Sequence, residues 1–158
     1  MNMRKMILAV MAFVALCACN SDKKDLVYRG LSMGLPFQTF CDSLNARGFA
    51  MDSAKSDTTG SMIVMANPAT NYRLALAQKE GKIVALQENY KISTNDSTRH
   101  LWQQLRDQFE KELGSWPNCP MLKDNHKVAK FETDGGFVTL TLENTYKPTF
   151  SVLYEVKK

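Results

Sequence analysis

The sequence predicts an α+β domain, an antiparallel sheet with two amphipathic helices on one face. Three observations carry this reading. Residues 36–47 and 98–113 place apolar side chains at helical spacing. Six short segments alternate or run apolar between Gly, Pro and Asn turns. The order is helix, three strands, helix, three strands, without the alternation of single strands and helices that builds a parallel sheet. That order suggests a tandem helix-plus-three-strand duplication. A local echo between residues 86–91 and 142–147, one insertion apart, agrees with it.

At the N-terminus, Arg4 and Lys5 precede an uninterrupted apolar run, Met6 to Leu16, of eleven residues. A helix needs about twenty residues to cross about 30 Å of hydrocarbon, so the run reads as a secretion signal and not as a span. Leu16-Cys17-Ala18-Cys19 then resembles the bacterial lipobox. The resemblance implies cleavage after Ala18 and thioether attachment of a diacylglyceryl group at Cys19, because only a sulfur nucleophile forms that bond. Cys17 stands where such motifs usually carry Ala, Ser or Gly. The alternative is an ordinary secretory peptide cut after Ala18 without a lipid. The chain therefore divides into a signal at 1–18, a polar tether at 19–25 and one domain at 26–158. Two or three acyl chains, at about 0.8 kcal/mol per buried methylene, make attachment effectively permanent. Asn20, and not Asp, follows Cys19, which by the same resemblance favours the outer membrane of the cell envelope.

Cleavage leaves 140 residues, enough for one domain with a core, and lowers the formal charge from +4 to +2 by removing Arg4 and Lys5. With lysines and acids interspersed there is no basic stripe, so nucleic acid is not an expected partner. Cys41 and Cys119 remain in a compartment that can oxidise thiols. A bond between them would close most of the domain and contribute about 4.5 kcal/mol by the chain-entropy estimate. The alternative is a buried helical thiol at Cys41 and an unrelated loop thiol at Cys119.

The elements follow in order. Asp25 to Arg29 reads as a short strand ended by Gly30. Pro36 opens a helix whose Phe37, Phe40, Cys41 and Leu44 share a face. Gly48 stops it, with Leu44 and Phe49 as the apolar pair of a Schellman ending. After the polar loop 51–60 come strands at 61–66, 71–78 and 82–90, the last two a hairpin across Lys79-Glu80-Gly81. Asn95, Asp96 and Ser97 supply caps for a helix at 98–113 with Leu101, Trp102, Leu105, Phe109 and Leu113 on its buried stripe. Gly114 ends it, and the Trp116-Pro117-Asn118-Cys119-Pro120 loop cannot continue it. A second hairpin, 127–133 and 137–143, turns at Asp134-Gly135-Gly136, and 149–156 is the last strand. The helices cover one side of the sheet, and Thr139, Thr141, Gln87 and Asn89 are placed on the other, toward water.

Arg29-Gly30-Leu31-Ser32-Met33-Gly34, the helix with Phe40 and Leu44, and Gly48-Phe49 resemble the opening of small exported bacterial lipoproteins with β-lactamase-inhibitor-like domains. Outer-membrane assembly lipoproteins of the SmpA/OmlA type are a related comparison. The resemblance covers about twenty residues and implies a curved antiparallel sheet that binds proteins through one face. It carries over no binding residue.

The sequence holds only two histidines. His100 sits on the second helix beside Leu101 and reads as a solvated helix residue, and His126 lies in a Lys-Asp-Asn loop without partners at metal-ligand spacing. No G-x-S-x-G, H-E-x-x-H, phosphate-cradling loop or C-x-x-C is present. No catalytic residue, metal ligand or cofactor is assigned. Asp52-Ser53-Ala54 and Asp57-Thr58-Thr59 resemble an exported-protein O-glycosylation pattern, with Ser53 and Thr58 as acceptors. The leading expectation is a non-enzymatic, lipid-anchored module that contacts another envelope protein or a ligand. The alternatives are an envelope enzyme, such as a glycan hydrolase using dispersed carboxylates, or an outer-membrane assembly factor.

Overall fold

The computed structural model describes residues 24–91, 94–114, 117–118, 126–143 and 148–158. The fold is α+β. A two-stranded hairpin, β1 (Val27–Tyr28) and β2 (Leu31–Ser32), is followed by α1 (Phe37–Ala46). Then come β3 (Ala50–Met51), β4 (Met62–Ala66), β5 (Tyr72–Lys79), β6 (Lys82–Tyr90), α2 (Asn95–Leu113), β7 (His126–Glu132), β8 (Gly136–Glu143) and β9 (Thr149–Val156). The last seven strands form one sheet in the order β3-β4-β5-β6-β9-β8-β7, with every neighbouring pair antiparallel. The two helix-then-strands units thus meet through their last strands, β6 and β9.

The hairpins follow from their turns. Glu80 and Gly81 both have positive φ, 54° and 73°, the two-residue geometry whose twist matches the flanking strands. Arg29 and Gly30, at 45° and 81°, join β1 to β2 in the same way. The expected strand at 25–29 is therefore the first arm of a hairpin that turns at Arg29-Gly30. One register detail departs from simple alternation. The pairing shifts between Ala77 and Gln78, so Val84 is an extra residue on β6. Ile83 is then buried at 2%, and Val84 is exposed at 39%.

The helices are specified at their ends. Pro36 precedes α1, and the first helical N–H, that of Phe37, donates to the Gly81 carbonyl of the β5–β6 turn. At its far end Phe49 N–H donates to Leu44 and Gly48 N–H to Asn45, the two bonds of a Schellman ending, with Gly48 at φ 85°. The cap of α2 is Thr94, one residue before the expected set, with Oγ1 accepting from Ser97 N–H. Gly114 closes α2 at φ 62°. Of the expected stripe Trp102 is buried, while Leu101, Leu105, Phe109 and Leu113 are half-buried against the core. α2 packs on β7, β8 and β9, with Phe109 against Phe131 and Tyr154.

One core runs through the molecule. Phe40, Cys41 and Leu44 of α1, Trp102 of α2, and Leu26, Tyr28 and Met33 around the small hairpin join the buried strand residues in a single cluster. Tyr28 touches both Phe40 and Tyr154 and so links the first unit to the second. Among the described residues no helix is long and apolar enough to cross a membrane.

Candidate functional site

The register divides the sheet into two unlike faces. Along one phase lie Met65, Leu74, Leu76, Leu86, Glu88, Phe150, Val152, Tyr154, Val138, Leu140, Leu142, Ala129 and Phe131, all buried. The opposite phase carries Val64, Ala75, Gln87, Leu153, Thr139 and Lys130 as one cross-strand row, with Ala77, Ala85 and Glu155 in the next. Every residue of these two rows is half-buried or exposed. Thr139, Thr141, Gln87 and Asn89, expected on the wet side, do share this face through their register with Leu153 and Ser151.

This face is short-chained and apolar on the β4–β6 side, where Val64, Ala75, Ala77 and Ala85 lie together. It is polar on the β8–β7 side, where Lys130 stacks 4.1 Å from the Phe137 ring centroid. Small side chains let another backbone approach closely, and the threonines and Gln87 offer hydrogen bonds. The β4 edge is capped by its own loop. Val64 N–H donates to Ser56 Oγ, Asp52 N–H donates to the Val64 carbonyl, and Met62 N–H donates to Asp57 Oδ2. These bonds occupy the backbone groups through which another strand would add to β4.

The buried phase holds a polar cluster that sequence reading did not single out. Glu88, 1% exposed, accepts from Tyr28 Oη and Arg29 Nε on Oε1 and from Tyr90 Oη on Oε2, each at 2.9 Å. Arg29 also lies 5.0 Å from the Tyr72 ring centroid and donates to Tyr90 Oη. Burial first, and the Glu88 charge second, push the Tyr28 and Tyr90 phenols well above their usual range. A buried carboxylate needs such partners. The left-handed backbone of Arg29 costs about 1–2 kcal/mol, and its guanidinium reaches Glu88 from there. The available signal was an acid on the apolar phase of a strand, in Leu86-x-Glu88-x-Tyr90.

Beside this cluster a cleft of about 520 Å³ lies between residues 24–29, α2 and the β7–β8 turn, with Phe109, Val138 and Tyr154 in its lining. Asp25, Glu112, Glu132 and Asp134 also line it. Asp25 accepts from Ser32 Oγ, Glu112 from Gln108 and Glu132 from Lys157. Lys157 holds the Glu132 carboxyl below its usual range, opposite to the rise a general acid needs.

The residues proposed from sequence are not brought together. Cys19, with the whole signal and residues 19–23 of the tether, lies outside the described residues, as does Cys119. Cys41 is a buried thiol on α1, its pKa raised by burial. Ser53 and Thr58 are both exposed on the loop that caps β4. His100 is exposed on α2, and His126 opens β7. Among the described residues no group of three His, Cys, Asp or Glu could hold a metal ion. No protein-family model matches the chain, and comparison with curated proteins and with solved structures finds no match.

Proposed function

We propose that this chain is a non-enzymatic binding module of the cell envelope. Acyl chains on Cys19 hold it at the membrane, and it contacts another envelope protein or a ligand through the uncovered face of its sheet. The observation that carries the reading is the contrast between the two faces. One is mostly buried, with Ile63, Tyr72 and Tyr90 half-buried on the same phase. The other presents Val64, Ala75, Ala77, Ala85, Gln87, Leu153 and Thr139 at partial exposure with a capped edge beside them. Both helices cover the buried face in this reading, since Tyr28 joins Phe40 of α1 to Tyr154 of β9, and Phe109 of α2 meets the same Tyr154. The meeting of two like-ordered units at β6 and β9 supports a duplication as the origin of the wide sheet. The lipobox supports the address, and the exposed Ser53 and Thr58 hydroxyls are open to glycosylation.

An envelope enzyme is the second reading, favoured by the four carboxylates lining the cleft. Against it stand the hydrogen bonds that engage three of them and the ionised state in which Lys157 holds Glu132. An outer-membrane assembly factor would be one kind of binding module and would co-purify with a large membrane complex. The test is site-specific photocrosslinking in intact cells from Gln87 and Thr139, with the exposed Gln104 of α2 as control. Discrete adducts from the two sheet positions and none from Gln104 are expected. Adducts from Gln104 alone would overturn the assignment of the face.

A further inference from the structure

The chain enters the fold at one fixed point. Lys24 to Leu26 cross the β7–β8 turn so closely that a Cβ on Gly135 would strike Leu26 N and the Lys24 carbonyl oxygen. Leu26 is 4% exposed, and its carbonyl accepts from Met33 N–H at 2.8 Å. Asp25 accepts from Ser32 Oγ, and the next turn is fastened to Glu88 through Tyr28 and Arg29. Only five peptide steps separate Cys19 from Lys24, which reach about 18 Å at most. A strand of eight residues such as β8 is longer, about 26 Å.

We propose that the lipid surface meets one end of the sheet. This is the end formed by residues 133–136, Lys157, Lys158 and the Glu80-Gly81 turn. The opposite end, with residues 67–71 and Thr149, points away, and the open face looks sideways along the membrane. The proposal rests on the lipid anchor at Cys19. The register puts the named turns together, because Gly136 pairs with Val156 at the end of β9 and Glu155 pairs with Ala85 near the start of β6. Lys24, Lys79, Lys82, Lys157 and Lys158 are all exposed at this end, where headgroup phosphates would meet them. Of the carboxylates there, Asp25 is held by Ser32 and Glu132 by Lys157, while Glu80, Glu112 and Asp134 share the same end. A partner of the open face then approaches in the plane of the membrane and not from above it.

The experiment uses the full chain, acylated in cells, in phosphatidylethanolamine–phosphatidylglycerol vesicles that carry a headgroup-linked energy acceptor. Donor dyes sit on Asp134→Cys, Gln87→Cys or Ala69→Cys, each in a Cys119→Ser background. Energy transfer should be greatest from position 134 and at least twofold lower from position 69, with position 87 between them. Equal or greater transfer from 69 overturns the orientation, and greatest transfer from 87 means that the domain lies on its open face. Labelled fatty acid is followed in the same preparations. Its absence overturns the anchor and the orientation together, whereas label with a reversed gradient overturns the orientation alone.

Discussion

A carboxylate on the apolar phase of a strand needs a partner, and Glu88 finds three in residues about sixty positions away and two positions away. Its place in the alternation was visible in the sequence, but its partners were not, because Tyr28 and Arg29 reach it only once the small hairpin lies on the sheet. The cluster has a titration consequence. Tyr28, Tyr90 and Tyr154 are pushed above the ordinary phenol range, by burial first and by the Glu88 charge second. Their folded pKa values exceed the unfolded one, near 10, so the stability linked to them is fully present below about pH 10 and falls as pH rises further. Each such phenol steepens the loss by up to about 1.4 kcal/mol per pH unit. Absorbance at 295 nm should show these three phenols staying protonated above pH 10 and ionising only with unfolding, when the circular dichroism is lost. Smooth ionisation of every tyrosine near pH 10 with the fold intact would contradict the cluster as described.

Local rules served best for single elements. Gly48 was legible as a helix stop because it stands four residues after Leu44 and just before Phe49, and both bonds of the motif are present. The Val84 bulge was not legible, since plain alternation puts Val84 on the face of Leu86, while the turn at Glu80-Gly81 and the burial of Ile83 decide otherwise. Thr94 was missed as the cap because Asn95, Asp96 and Ser97 are equally able to bond a free N–H, and only the start of the helical backbone chooses among them. The glycine gives an element-scale prediction. A left-handed backbone costs a side-chain-bearing residue about 1–2 kcal/mol. A Cβ at Gly48 would also lie 3.1 Å from Asn67 Nδ2, which donates to the Arg47 carbonyl. Gly48→Val should therefore lower unfolding stability by about 2 kcal/mol, read as a lower urea midpoint at unchanged slope. A midpoint equal to wild type would remove the Schellman assignment.

At the scale of the whole molecule, the order of helices and strands could be read from the sequence, but the joint between the units could not. Nothing local says that β6 pairs with β9 across α2, β7 and β8, because that pairing depends on contacts sixty or more residues apart. The joint makes the two units interdependent. Without the second unit, β6 loses Phe150, Val152 and Tyr154 from its side, and Tyr28 keeps Phe40 but loses the Tyr154 ring. Domains of about sixty residues bury only about 60% of their chain surface and are marginal even with an intact core. A chain cut between Ile92 and Ser93 should then give two halves, each without a cooperative unfolding transition of its own. Mixed together from denaturant, they should recover the circular dichroism of the uncut protein and one shared melting transition that rises with concentration, since association now stabilises the fold by mass action. A sharp transition in either half alone would mean that each unit closes its own core, and β6–β9 would then be a contact between finished domains instead of the centre of one.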